Sequence, residues 1–175
     1  MNTIAIDIRV DNSKLLPVFI NKFKCRDGEG SSCYLELQPL AQEGQHGETH
    51  SVRLTDKTRS TNGGIIGYGR EIRRATEKPT NPAVLAEVRL DKIPDYAVKS
   101  FATKSGGEGL SVKLRVVPLL HPENNKFGST HYVCIDNQDG EKVFCGNGVG
   151  IPSVAPATAP SAQVAAAPPT DDEPF

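Results

Sequence analysis

The sequence predicts an all-β protein, a small antiparallel barrel or sandwich, on three observations. Apolar and polar residues alternate through successive short stretches. Clusters of turn-forming residues separate those stretches, and helix signals are sparse.

Taken in order, IAIDIRV sets Ile4, Ile6, Ile8 and Val10 on one face, with Asp7 and Arg9 opposite. Lys22, Lys24 and Arg26 fall on alternate positions of a second expected strand. CYLELQPL places Cys33, Leu35 and Leu37 against Tyr34, Glu36 and Gln38. AVLAEVRLDKI alternates Val84, Ala86, Val88 and Leu90, and LSVKLRVV sets Leu110, Val112, Leu114 and Val116 against Lys113 and Arg115. HYVCIDNQ and EKVFCG, separated by Asp139-Gly140, read as a closing hairpin. The stretches RDGEGSS, QEGQHGE, STNGG, KPTNP, KSGGEG and HPENN read as turns and loops. YGREIRRATE and PDYAVKSFAT are the only segments with some helical character, and each is equally compatible with strand or loop. No internal repeat is visible. Phe19, Phe23 and Phe144 are assigned to the core.

With 175 residues the chain has room for one domain and a tail. The domain is expected over residues 1–150. Residues 151–170 hold seven alanines, five prolines and no charge, the composition of a linker with polyproline-II character. Such a linker spans roughly 60 Å when extended. Residues 171–175 form an acidic tip. All 20 lysines and arginines precede residue 151, while three of the 21 acids lie in the last five positions. The split sets a slightly cationic body against an anionic end, a pattern of nucleic-acid-binding bodies with interaction tails.

The tip, Asp171, Asp172, Glu173, Pro174 and Phe175, resembles the C-terminus of the single-stranded DNA-binding proteins of bacteria and of their phages and plasmids. In that family an oligonucleotide-binding barrel is followed by a flexible linker and an acidic end closing in Asp-Asp-apolar-Pro-Phe. Asp171, Asp172, Pro174 and Phe175 match; Glu173 stands where the family usually has an apolar residue. The chain has no Trp, and its linker is rich in Ala and Pro where the bacterial proteins favour Gly and Gln. These departures point to a phage or mobile-element branch. The resemblance implies an OB-like barrel of five to seven strands with elaborated loops. It further implies binding of single-stranded DNA in replication, recombination or repair, and replication or recombination proteins that dock on the tip. It implies no cofactor and no membrane, and leaves room for a homo-oligomer.

The tip is chemically legible by itself. The Phe175 ring suits a shallow apolar pocket, and the surrounding carboxylates suit a basic rim. Pro174 limits the freedom lost on docking.

Binding a single strand without sequence preference needs cations for phosphates and exposed rings for bases. The richest stretch is VRLTDKTRSTNGGIIGYGREIRRATEK. It supplies Arg53, Lys57, Arg59, Arg70, Arg73 and Arg74, with Tyr68 between two glycines. Lys22, Lys24 and Arg26 are expected to continue the groove. Tyr34 is expected on the outer sheet surface, and Tyr96, Phe101, Phe127 and Tyr132 near loops or strand ends.

Other chemistries find no support. GGIIGYGR and CGNGVG match neither dinucleotide nor P-loop fingerprints. Nucleophile-elbow and zincin motifs are absent, so no enzyme is expected. Cys25, Cys33, Cys134 and Cys145 lack zinc-knuckle spacing, with or without His46 and His50, and are expected as reduced thiols. The start of the chain lacks a signal-peptide layout and no apolar run is long enough to span a bilayer, so a cytoplasmic protein is expected.

The rival readings are a β-sandwich adaptor that never touches nucleic acid, and an RNA-binding module. Removing residues 171–175 is expected to leave DNA affinity unchanged or slightly higher, because the tip competes with phosphates for the same cations. Fluorescence titration of the truncated chain with poly-dT checks this; a large loss of affinity contradicts a recruiting tip.

Overall fold

The computed structural model describes residues 2–11, 17–26, 28–74, 76–78, 80, 82–103, 106–137 and 139–153. The tip, and the linker beyond residue 153, lie outside the described residues. The described chain is all-β. Its strands are β1 Thr3–Asp11, β2 Asn21–Cys25, β3 Gly28–Pro39, β4 His50–Thr55, β5 Asn62–Ile72, β6 Ala83–Arg89, β7 Val98–Ala102, β8 Glu108–Pro118, β9 His131–Asp136 and β10 Lys142–Ile151. YGREI lies inside β5, and PDYAVKSFAT is a 3₁₀ turn followed by β7. The Gly pairs of RDGEGSS and STNGG are likewise strand, in β3 and β5. Neither helical reading holds, because both segments pair with neighbouring strands over several residues.

Eight strands close a barrel in the order β1-β5-β4-β3-β6-β10-β9-β8, and β8 returns to β1. All pairings are antiparallel. The barrel thus has more strands than the five to seven expected. Two further strands form arms: β2 extends the sheet beside the start of β3, and β7 does the same beside the start of β8.

The expected core stripes point inward as alternation requires, except that Leu110, at the start of β8, is exposed rather than in the core. Ile4, Ile6, Leu35, Leu37, Val52, Leu54, Val84, Val88, Leu114, Val116 and Val133 are all buried in one cluster. Phe19 joins it. Phe23 does not: it is half-buried on arm β2, its ring over Gly30. Phe144 is 62 % exposed, so two of the three core assignments are corrected. Both occupy outward positions of their strands, which a one-sided stripe count does not separate from core.

The chain also repeats itself. Exchanging β1–β5 with β6–β10 reproduces every ladder. The β1–β5 pairing answers to β6–β10, β1–β8 to β3–β6, β2–β3 to β7–β8, β3–β4 to β8–β9, and β4–β5 to β9–β10. The halves are offset by about 80 residues, with Ile4 answering to Val84. Equivalent strands run in the same direction on opposite sides of the ring, so the two-fold axis of this repeat lies along the barrel axis.

Small details repeat as well. Both β4–β5 and β9–β10 carry a bulge. A Cβ on Gly67 would strike the Asp7 carbonyl oxygen, and one on Gly146 the Glu87 carbonyl oxygen. Phe101 sits over Gly109 as Phe23 sits over Gly30. The imidazole Nδ1 of buried His50 lies 2.8 Å from the Thr49 hydroxyl, and that of buried His131 lies 2.8 Å from the Thr130 hydroxyl. His50 Nε2 donates to the Pro82 carbonyl at 3.0 Å, so its Nδ1 accepts from Thr49. This duplication corrects the expectation of no repeat. The repeat does leave identity in the sequence: Gly28, Glu29, Gly30, Ser32, Leu35, Pro39 and Leu40 answer to Gly107, Glu108, Gly109, Ser111, Leu114, Pro118 and Leu119, and Thr49, His50 and Val52 to Thr130, His131 and Val133, but these matches are short and separated by loops of different composition.

The barrel has two distinct ends. Both arms, the turn 56–61, the end of β9 and the start of β10 lie at the arm end. The loops 40–49 and 119–130, the end of β5, the starts of β1 and β6 and the end of β10 lie at the loop end. Among the described residues no helix is long and apolar enough to cross a membrane.

Gly67→Ala and Gly146→Ala are each expected to destabilise the barrel by about 2 kcal/mol or more, since the clash is with backbone that cannot swing away. Denaturant unfolding measures the effect. A pH dependence also follows from the paired histidines. Burial holds both imidazoles below their ordinary value. The unfolded chain takes up those protons below about pH 6.5 while the folded chain resists them, so stability is complete above that pH and falls as pH drops below it. Thermal melts between pH 7.5 and 5 should show this fall, and His131→Phe should flatten it.

Candidate nucleic-acid interface

The outer surface of the barrel is set by the residues that alternate with the core. On β1 these include Ala5, Asp7 and Arg9, on β8 Ser111, Lys113 and Arg115, and on β5 Tyr68 and Arg70. Register joins them into rows across the sheet. Lys99 faces Ser111, which faces Arg9. Lys113 faces Asp7, which faces Tyr68. Arg115 faces Ala5, which faces Arg70. Since neighbouring strands lie about 5 Å apart, five cations and a ring share one face of β7, β8, β1 and β5.

This face is open to solvent. Arg9, Arg70, Lys99 and Lys113 are exposed, and Tyr68 is 48 % exposed. Glycines on both sides of Tyr68 leave its ring unshielded. Phe101 lies at the arm edge of the face, 6.0 Å from the Arg9 guanidinium carbon. Two carboxylates temper the charge. Asp7 pairs with Arg9 at 3.4 Å, and Asp136 pairs with Arg115.

The expected site residues divide. Tyr68 and Arg70 belong to this face. Arg73 and Arg74 continue it at the loop end, around a cavity of about 300 Å³ shared with Glu43, His46, Glu71 and Arg70. Arg73 is ion-paired with Glu43 there. Buried Glu71 accepts from the Thr80 amide and hydroxyl, each at 3.0 Å.

The remaining residues lie elsewhere. Lys22, Lys24 and Arg26 are exposed on or beside arm β2, whose neighbour β3 sits across the barrel from β1 and β8. They do not continue the groove. Lys57 is exposed on the turn at 56–61. Asp56 organises that turn by accepting from Thr58, Ser60 and Thr61, and these bonds hold its carboxyl far below the usual range. Arg59 reaches back with two hydrogen bonds, 3.0 and 2.8 Å, to Glu36 Oε1. Arg53 is half-buried between Glu36 and Ile65.

Tyr34 does lie on the outer surface, facing Thr55 and Glu87. Its hydrogen bond to Glu87 occupies the hydroxyl, and partial burial together with the carboxylate raises its pKa. The opposite face, β3-β6-β10, is the symmetry counterpart of the cationic face with different chemistry. Glu36 stands for Arg115, Tyr34 for Lys113, Asn147 for Tyr68 and Val149 for Arg70. There Arg89 lies over Phe23 at 4.4 Å and pairs with Asp91 at 2.7 Å.

Sequence reasoning did not single out Arg9, Lys99, Lys113 and Arg115, which the register gathers on this face. The outward direction of Arg9, Lys113 and Arg115 was readable from alternation, while Lys99 lay in a segment left open between helix, strand and loop; that β1 lies beside β8 was not readable.

The thiols are placed for packing. Cys33, Cys134 and Cys145 are buried, and desolvation pushes Cys33 and Cys145 up to about 12. Among the described residues no group of three His, Cys, Asp or Glu side chains is arranged to hold a metal ion. No family model, no characterised protein and no solved structure matches this chain.

Proposed function

We propose that the chain binds single-stranded DNA without sequence preference across the face of β7, β8, β1 and β5. In this reading the Asp171–Phe175 segment recruits replication, recombination or repair proteins. The observation that carries the reading is the run of three adjacent rows holding Lys99, Arg9, Lys113, Arg115 and Arg70 around the open ring of Tyr68. Spaced cations neutralise phosphates, and an exposed ring accepts any base because every base has a π-face. No cofactor takes part. Lys126 and the Arg73–Arg74 pair extend the cationic surface toward the loop end. The tether leaves from Ile151, which pairs with Ala83 across the barrel from this face.

Titration of fluorescent poly-dT and of matching RNA at two salt concentrations tests the reading. The wild-type protein should bind poly-dT with affinity that falls steeply with salt. The Arg9→Ala, Lys113→Ala, Arg115→Ala triple variant should lose tenfold or more, and its log–log salt slope should shrink by about 2, at roughly 0.7 per phosphate contact. Lys22→Ala with Lys24→Ala, on the far arm, should change little. Wild-type protein that binds neither polymer favours an adaptor, on this closed barrel rather than the β-sandwich that reading assumed. Preference for RNA favours the RNA module.

A further inference from the structure

The loop at 119–130 displays two apolar side chains almost wholly to water: Leu120 is 93 % exposed and Phe127 92 %. It is not a loose excursion. The Leu119 amide donates to the Thr130 carbonyl at 2.9 Å and closes the loop at its base. The Asn124, Asn125 and Gly128 amides bond back to His121, Pro122 and Asn125, each at 3.1 Å. The Phe127 amide donates to Asn125 Oδ1 at 2.8 Å, and Gly128 supplies the left-handed turn at φ 69°. The ring is therefore held out by its own backbone, with Lys126 exposed beside it.

The internal duplication supplies a control. The equivalent loop, 40–49, is closed by the same base bond, from the Leu40 amide to the Thr49 carbonyl at 2.8 Å. Its tip is Ala41, Gln42, Glu43, Gly44, Gln45 and His46, with no large apolar residue. Joining these strands does not require an exposed ring, so Phe127 answers another demand.

Position and size indicate which. The outward cations of β8, Lys113 and Arg115, point along the strand to Pro118, where the loop begins roughly 10 Å beyond Arg115. The exposed apolar area of two such side chains is on the order of 300 Å². That falls well short of the roughly 800 Å² per partner typical of a stable protein interface, but matches a base or two. From these features we infer that Phe127 is a base-stacking platform at the loop end of the cationic face, with Lys126 meeting the adjoining phosphate. This inference rests on the nucleic-acid reading above.

The absence of Trp from the chain gives a clean probe. In Phe127→Trp the introduced indole should be quenched as oligo(dT) is added, with the same saturation curve as DNA anisotropy. Phe127→Leu, which keeps an apolar side chain but removes the π-face, should bind oligo(dT) roughly tenfold more weakly, within the range for one stacked base. If the wild-type protein binds oligo(dT) while the indole stays unquenched and Phe127→Leu binds as tightly, the platform is refuted and the β1–β8 face still stands. Wild-type protein that does not bind oligo(dT) removes both. A concentration-dependent rise in mass that Phe127→Leu abolishes identifies a second copy of the chain as the occupant, and overturns the platform too.

Discussion

The ladder between β1 and β8 is the constraint on which the rest depends. It runs from Ile4 opposite Val116 to Asp11 opposite Gly109 and joins segments more than 90 residues apart in sequence. Closing that loop has an entropic cost that grows only slowly with length. What offsets it is the burial of Ile4, Ile6 and Ile8 against Leu114 and Val116, which an open sheet would leave wet on one edge. The same ladder sets Arg9 beside Ser111 and Lys113 beside Asp7. Closure of the core and assembly of the cationic face are thus one event.

The two sides of the barrel differ within one repeated framework. Inward positions of the halves remain interchangeable in size: Leu35 and Leu37 on one side, Leu114 and Val116 on the other. Outward positions are free of that packing demand and have parted in charge. On β3, β6 and β10 the polar groups satisfy one another, as Arg59 does with Glu36 and Ser32 with Glu87. On β8, β1 and β5 several cations face water. Like-charge repulsion in such a cluster gives no stability of its own, which sets it apart from the neutralised side.

Much of this was legible in the sequence, for a physical reason. Period-two alternation marks which residues face inward, and β1, β3, β6, β8 and the β9–β10 hairpin follow it. Alternation is silent where a strand is built of glycines and charges, as in GGIIGYGREI, and that stretch became β5 only because β1 and β4 flank it. It is equally silent on neighbours. Tyr68 and Arg70 were identifiable as exposed, but nothing local told that Lys113 and Arg115 would stand beside them, or that Lys22 and Lys24 would stand across the barrel. The repeat was legible in GEGSSCYLELQPL against GEGLSVKLRVVPL and in THSV against THYV, 79 to 81 residues apart, and was missed because outside these stretches the halves share only inward size and bulge glycines.

The exchange of ladders between the halves has a mechanical outcome. Strand β1 of the first half is zipped to β8 of the second, and β6 of the second to β3 of the first, so two equivalent seams hold the cylinder shut. Neither half owns a complete wall. Peeling one away unzips both seams at once and wets both linings, which couples the described strands into a single melting unit rather than two lobes.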